Sequence, residues 1–264
     1  MQRSYSSKAI VFSLKPSGEN NSTVTLFTPD RGIIYATLYG GPKSRFKSLV
    51  NQFNSGTVWL YDTPEKKQTK ITDFEVKNYH PSFSQNLFKM FAASLACELC
   101  IKTHAAGSPE SVFNLLTGFF DGMELCTEEQ SRLGLIRFLW RFINLMGIQP
   151  DTTECFDCGS SYIKHEIENT FDSYYNKNEN IIICNKCFGN RKQASGENNN
   201  FQYIKISNSS LDYLNGISLL KPQEARKLQI DEEGYFQIRE FIFFLIENAA
   251  GTKLNTLETG MGIL

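Results

Sequence analysis

Two hydrophobic patterns divide the chain near residue 80. Before that point, apolar and polar residues alternate in short runs separated by Gly, Pro and Asn, which predicts strands and turns. Beyond Pro81, apolar residues recur every three or four positions over long stretches, which predicts helices. The pattern therefore indicates an α+β multidomain protein with its strands first.

The first 80 residues contain five predicted strands, at 7–15, 22–28, 32–39, 56–62 and 69–77. The first two turns are rich in Gly, Pro, Asn and Asp, as hairpin turns are. The connection from Gly40 to about Ser55 is the longest. Five strands with one long middle connection favour a small closed β-barrel of the OB type, and a sandwich fragment is the alternative.

The helical part carries explicit start signals. A helix is predicted over 84–103, with one face formed by Leu87, Phe91, Leu95 and Leu99. Ser108 and Pro109 begin a second helix, in which Val112, Leu116, Phe119 and Met123 form the apolar face. A capping box begins a third at Thr127, whose two apolar arcs predict a central position. Later helices are predicted at 209–215, ended by Gly216, and at 222–228 and 235–250.

Residues 150–200 interrupt the helical pattern with cysteines, aromatic residues and turns, and end in a polar run at 193–200 that predicts a loop. We therefore expect three parts. These are a barrel domain at 1–80, a helical domain at 81–149 and 201–264, and a cysteine module inserted at 150–200.

The composition narrows the class of protein. With 264 residues, 41% of them hydrophobic, the chain is long enough for real cores. It has no apolar run of the ~20 residues that a spanning helix needs and no apolar signal peptide at its start, so a cytoplasmic protein is expected. The net charge is −1, but residues 1–80 hold 11 Lys and Arg against 6 Asp and Glu, so the positive field belongs to the N-terminal part.

Cys155 with Cys158 and Cys184 with Cys187 form two CxxC pairs separated by 25 residues. Two such pairs joined by a hairpin can offer four thiolates at tetrahedral positions to Zn²⁺, with a glycine after each pair to help the turn. Because four sulfur ligands leave no open position, the zinc is expected to be structural. The alternatives are four unrelated structural cysteines, or redox use of one pair, for which no βαβ setting is found.

The remaining cysteines and the histidines suggest no second site. Cys97 and Cys100 lie inside a predicted helix, where buried thiols are common, and Cys126 has no partner in the sequence. A lone histidine is usually a surface or capping residue, and this applies to His80, His104 and His165, although His165 could replace a cysteine ligand. No catalytic motif is found, so we expect a binding protein; an enzyme built from scattered carboxylates is the alternative.

The long connection of the barrel contains Lys43, Ser44, Arg45, Phe46 and Lys47. Lysine and arginine neutralise phosphates, serine can donate to phosphate oxygens, and the phenyl ring could stack on an unpaired base. The segment is therefore a candidate DNA contact, and a solvated surface loop is the alternative. Further cations would widen the patch if they share its face: Arg3, Lys8, Lys15 and Arg31.

Arg137 and Arg141 lie one turn apart on the predicted central helix, between its two apolar arcs. Two guanidinium groups beside apolar surface could hold the carboxylate of a partner peptide. The alternative is that these arginines pair with acidic residues inside the protein.

This order of parts resembles the RecO family of bacterial recombination mediators. The similarity rests on the run from Val24 to Gly32, on the Gly-plus-basic run from Tyr39 to Arg45, and on the four cysteines from Cys155 to Cys187. The resemblance implies an OB-fold that binds single- and double-stranded DNA and anneals complementary strands in DNA repair, at the nucleoid. It also implies partnership with RecR, with the C-terminal tail of the single-strand-binding protein, which would occupy the Arg137 and Arg141 site, and indirectly with RecA.

The C-terminal segment from Gly251 departs from the family, because members often carry basic residues there and this chain has few. DNA binding would then depend more on the barrel, on RecR or on both. A competing hypothesis is a zinc-ribbon adaptor that binds proteins and no nucleic acid.

Overall fold

The computed structural model describes residues 3–40, 46–63, 65, 67–162, 172–195 and 202–264. Contacts along the backbone group the chain into two units, Met1–Phe138 with Ala250–Leu264, and Leu139–Ala249. The three-part division expected from the sequence stays a prediction. None of the helices in the described ranges combines the length and the apolar character that crossing a bilayer requires.

The N-terminal strands form a closed barrel, as predicted. Its strands are β1 (Ser4–Ser17), β2 (Asn21–Thr28), β3 (Gly32–Tyr39), β4 (Ser55–Thr63) and β5 (Gln68–Asn78), in the order β1-β2-β3-β5-β4. Neighbours pair antiparallel except β3 and β5, which close the barrel in parallel through Ala36 opposite Thr69 and Thr37 opposite Lys70. A short helix α1 (Phe46–Leu49) lies in the long connection.

Alternation along the strands fills the barrel interior, where Val11, Leu26 and Val58 are fully buried. The outward-facing Phe12 and Phe27 are buried as well, which strict alternation does not predict. The reason is that Phe27 packs on Phe113 of helix α4 (Pro109–Glu124), with 5.9 Å between ring centroids. One side of the barrel is thus covered by the helical part of the same unit.

The helix predicted at 84–103 is divided into α2 (Ser82–Gln85) and α3 (Leu87–Lys102). Asn86 is extended, and its side chain accepts the amide hydrogen of Lys89 at 2.9 Å, so it caps α3. Leu87 is 54% exposed, so its place on the predicted buried face is wrong, whereas Leu95 and Leu99 are buried.

The next two helices follow their start signals. Pro109 begins α4, although Ser108 bonds to the Ser111 hydroxyl instead of capping an amide. Thr127 and Gln130 form the predicted capping box at 3.1 and 3.3 Å before α5 (Glu128–Leu145). The predicted α4 face is buried, and α5 buries residues on both arcs.

In the second unit, β6 (Ser173–Asn176) and β7 (Ile181–Cys184) form the predicted hairpin. Helix α6 (Asn185–Ser195) and strand β8 (Tyr203–Ile206) were not predicted, and α6 includes the start of the predicted loop at 193–200, whose residues 196–200 lie outside the described ranges. The later helices of this unit are α7 (Asn208–Leu219), α8 (Pro222–Ala225) and α9 (Glu232–Ala250), whereas α10 (Asn255–Thr259) belongs to the first unit. Gly216 lies inside α7 and does not end it.

Asp121 of α4 links the barrel strands to the helices of the first unit. Its carboxylate accepts from the Asn78 side chain at 3.0 and 3.1 Å and lies 3.0 Å from Nε2 of His80. The other ring nitrogen of His80 lies 2.8 Å from the carbonyl oxygen of Phe53. His80 is buried, so its predicted surface position is wrong.

Replacing Asp121 with Ala should lower the free energy of unfolding by about 1–3 kcal/mol, because Asn78 and the buried His80 lose their shared acceptor. Urea denaturation of the two proteins measures the difference. Asp73→Ala is the matched control, since Asp73 is exposed and accepts from the amide of the next residue. Equal losses in the two variants would contradict the linking role.

Candidate metal centre and nucleic-acid interface

The structure brings the four predicted cysteines together. The sulfur atoms of Cys155, Cys158, Cys184 and Cys187 all lie within 4.8 Å of one another, and those of Cys158 and Cys184 are 3.8 Å apart. Tetrahedral thiolates at ~2.3 Å from a zinc ion would be separated by about 3.8 Å. The donor set and its spacing therefore fit a tetrahedral metal ion.

The first pair lies in a tight loop. The amide of Cys155 donates to the carbonyl of Ser160 at 2.9 Å, and the amide of Gly159 donates to the carbonyl of Cys155 at 2.8 Å. Gly159 has a φ of 67°, a left-handed conformation that glycine adopts without strain. The glycine after this pair thus has the role that the sequence predicts.

The second pair joins a strand to a helix. Cys184 is the last residue of β7, and Cys187 lies in the first turn of α6. The amide of Cys184 donates to the sulfur of Cys155 at 3.3 Å, which connects the two pairs. Gly189, expected to help the turn, instead lies inside α6.

Arg191 of α6 fastens the first loop to the hairpin, a contact that the sequence analysis missed. Its guanidinium donates two hydrogen bonds to Asp157, at 2.6 and 2.7 Å, and two to Glu179 at 3.0 Å. The hydrogen bonds to Asp157 raise the pKa of Arg191. In the sequence, Asp157 lies between Cys155 and Cys158, and Arg191 follows Cys187 by four residues. This spacing does not by itself predict that the two side chains meet.

The cysteine environments differ. The hydrogen bond with Ser160, at 3.2 Å between sulfur and hydroxyl oxygen, is the main cause that lowers the pKa of Cys158 to about 6. Burial raises the pKa of Cys184 and Cys187. Thiolates this close repel one another when no cation lies between them. Metal binding would therefore release protons from the thiols, and the metal affinity would fall as the pH falls.

The other cysteines match their expected roles. Cys97 and Cys100 are buried in α3, and burial raises the pKa of both thiols. They are core residues. Cys126 is partly buried, and His165 lies outside the described residues.

The predicted DNA contacts fall partly beyond the described structure. Lys43, Ser44 and Arg45 lie outside the described residues, and α1 contains Phe46 and Lys47, whose side chains lie outside them too. Their DNA role stays a prediction.

Of the other predicted contacts, Lys8 is exposed on β1. Arg31 follows β2, where its guanidinium lies 3.6 Å above the Tyr5 ring and 3.8 Å from the carboxylates of Asp30 and Asp62. Arg31 therefore already has acidic partners within the barrel.

A set of aromatic side chains on the outside of the barrel was missed by the sequence analysis. We call it the aromatic face; it consists of Tyr35, Tyr39, Trp59 and Tyr61. Tyr35 is 61% exposed, Tyr39 44% and Trp59 36%. The signal was present in β3, where the inward positions are Ile34, Ala36 and Leu38 and the alternate positions carry the tyrosines.

Lys70 of β5 gives the aromatic face a positive charge. Register places Lys70 opposite Tyr61 on one side and Thr37 on the other, and its Nζ lies 5.2 Å from the Tyr39 ring centroid. Gln68 donates to the Tyr39 hydroxyl at 2.9 Å. Asp73 lies opposite Trp59, so the cationic part of the face is near the tyrosines.

The predicted peptide arginines lie on α5, where both are partly buried. Arg141 donates to the carbonyls of Ile217 and Leu220 at 3.3 Å, at the end of α7. These contacts fit a structural arginine at a helix C-terminus, and its expected pairing with an internal acid stays a prediction. Peptide binding by Arg137 and Arg141 stays a prediction.

Comparison with known proteins gives a consistent assignment. The family model "Recombination protein O N terminal" matches residues 1–80, and "Recombination protein O C terminal" matches residues 84–258. A DNA repair protein RecO of Desulforamulus reducens is 23% identical over 256 residues, which cover 96% of this chain and 93% of that protein.

Two further relatives match over shorter stretches. A DNA repair protein RecO of Syntrophotalea carbinolica is 26% identical over 166 residues, 61% of this chain and 63% of that protein. Another, of Synechocystis, is 26% identical over 159 residues, 59% of this chain and 58% of that protein. Each of these matches spans less than two thirds of the relative.

Removal of metal with a strong chelator should increase amide hydrogen exchange in residues 153–162 and 173–193. The reason is that the free energy of metal binding contributes to the local stability of these segments. We expect at least about tenfold faster exchange, which is about 1.4 kcal/mol of local stability. Cys155→Ser with Cys184→Ser should give the same local change. Cys126→Ser is the control, and the barrel strands should keep their protection in every sample. Unchanged exchange after chelation would contradict a structural metal.

Proposed function

Because the chain belongs to the recombination protein O family, we propose that it mediates DNA recombination and repair by binding nucleic acid on its barrel. Membership supports the role in repair and recombination. The proposal adds that the chain binds single- and double-stranded DNA, anneals complementary strands, and catalyses no reaction. Action on chromosomal DNA would place it in the cytoplasm at the nucleoid.

The aromatic face is the observation that carries the nucleic-acid proposal. Exposed rings on an OB-type barrel offer platforms on which bases of a single strand can stack, and Lys70 beside them can contact phosphate. The net charge of +5 in residues 1–80 favours the approach of a polyanion. Lys43, Arg45 and Lys47, with Lys8, would extend the phosphate contacts.

We propose that the four cysteines hold one structural Zn²⁺. The supporting observation is the convergence of four sulfur donors with no other ligand type among them, which suits a closed zinc site. The ion would join the first loop to the start of α6 and supply stability rather than chemistry.

The proposed partners follow from the family. We propose RecR and the single-strand-binding protein as direct partners and RecA as the indirect recipient of the DNA. We propose that Arg137 and Arg141 together bind the acidic tail of the single-strand-binding protein. Leu219 and Leu220 are exposed at the end of α7, where Arg141 donates to the Leu220 carbonyl, and they could take apolar side chains of the tail.

Replacing Tyr35 and Tyr39 with Ala should weaken single-stranded DNA binding more than duplex binding, because only unpaired bases can stack on the rings. Each lost stack is worth about 1–3 kcal/mol, or about 5- to 150-fold in affinity. Fluorescence anisotropy with single- and double-stranded oligonucleotides of equal length measures both affinities. Tyr79→Ala is the matched control, since Tyr79 is 53% exposed but lies beyond the end of β5.

The same titrations at several salt concentrations separate stacking from charge. Replacing Lys43, Arg45 and Lys47 with Ala should reduce the slope of log K against log salt by about 2–3, with similar losses for both DNA forms. The tyrosine variants should keep the slope. If the unmodified protein binds neither DNA form at low salt, the adaptor hypothesis replaces the mediator proposal.

A further inference from the structure

The hydroxyl of Tyr162 is buried near the four cysteines and has no hydrogen-bond partner among the residues that the structure describes. The residue is 5% exposed, and within the described residues no atom forms a hydrogen bond with its Oη. Its backbone is fixed, because its amide donates to the carbonyl of Thr153 at 2.8 Å. A buried hydroxyl without an acceptor is destabilising, so its presence needs a reason.

The surroundings of Tyr162 point to the cysteines. Tyr162 lines the same cleft as Cys158, Cys184 and Cys187. Backbone hydrogen bonds of 2.8 and 2.9 Å join Tyr162 to Thr153 and Cys155 to Ser160, so Tyr162 and Cys155 belong to the same tight loop.

Metal binding would supply the missing acceptor. A thiol sulfur accepts hydrogen bonds weakly, whereas a metal-bound thiolate keeps its charge and accepts better. Cys155 already accepts from the Cys184 amide at 3.3 Å, so one direction around its sulfur is used. We propose that Tyr162 is a positioning residue of the metal centre, whose hydroxyl donates to the thiolate of Cys155 once the metal is bound. This inference rests on the proposed metal site.

Tyr162→Phe removes the hydroxyl and keeps the ring. Zinc affinity, measured by competition with a chromophoric chelator, should fall about 10- to 100-fold, as for other groups that hydrogen-bond to metal ligands. In the cobalt-substituted protein, the thiolate-to-cobalt absorption bands should shift, because the sulfur loses a hydrogen bond. Tyr175→Phe is the matched control, since Tyr175 is also buried but its hydroxyl donates to Asn180 at 2.9 Å.

Melting temperatures with and without metal distinguish a hydrogen bond to a metal ligand from a role of Tyr162 in packing. Without metal, Tyr162→Phe should leave the melting temperature unchanged or raise it, because an unpaired buried hydroxyl is removed. With zinc, the same variant should melt below the unmodified protein.

Three results would overturn the inference. Unmodified zinc affinity and cobalt spectrum in Tyr162→Phe would show that the hydroxyl makes no bond to a ligand. Equal losses of affinity in Tyr162→Phe and Tyr175→Phe would show a general packing effect. If the unmodified protein binds neither zinc nor cobalt, the metal site fails first and the role of Tyr162 fails with it.

Discussion

The closeness of four thiols is the constraint on which the cysteine module depends. Sulfur atoms within 4.8 Å of one another cannot all carry charge without a cation, and burial opposes ionisation of Cys184 and Cys187. In the described part of the module, Tyr175, Ile182 and Ile183 of the hairpin are buried, and Tyr174 stacks on Phe188. Small modules of this kind usually need a metal, and here the ion would connect the first loop, β7 and α6 at one point. The Arg191 contacts with Asp157 and Glu179 support the same three segments from outside.

Strand pairing and apolar packing hold the barrel together. Its closure rests on a short parallel pairing between β3 and β5 and on an interior of alternate apolar residues, and α4 covers one side through Phe113. That leaves the tyrosines of β3 on the outside, with Lys70 beside Tyr39. The two sides of β3 thus have different surroundings. Its inward residues pack the core, and the tyrosines on its outward side belong to the aromatic face. The proposed DNA binding draws on the second set.

The sequence predicts the features that local patterns encode. The alternation of β1 to β5 predicts the barrel, the capping box at Thr127 predicts the start of α5, and the spacing of the two cysteine pairs predicts the four-cysteine cluster. Features that depend on distant contacts were missed. Asn86 ends one helical segment because its side chain caps the next, and Gly216 does not end α7, where Leu228 packs so closely that a Cβ would lie 2.7 Å from it. His104 and Ala105 adopt left-handed conformations that their residue types disfavour. The burial of His80 against Phe83 and Phe120 likewise depends on contacts between distant residues. So does the position of the Tyr162 hydroxyl, which has no hydrogen-bond partner in the described part of the chain.

X-ray absorption at the zinc edge, with the metal content of the same sample, tests the central claim most directly. The account predicts one zinc per chain with four sulfur neighbours at ~2.3 Å and no nitrogen or oxygen ligand. A chain purified without chelator that contains far less than one metal ion would contradict it. So would a first coordination shell of nitrogen or oxygen atoms, because the four cysteines would then not be the ligands.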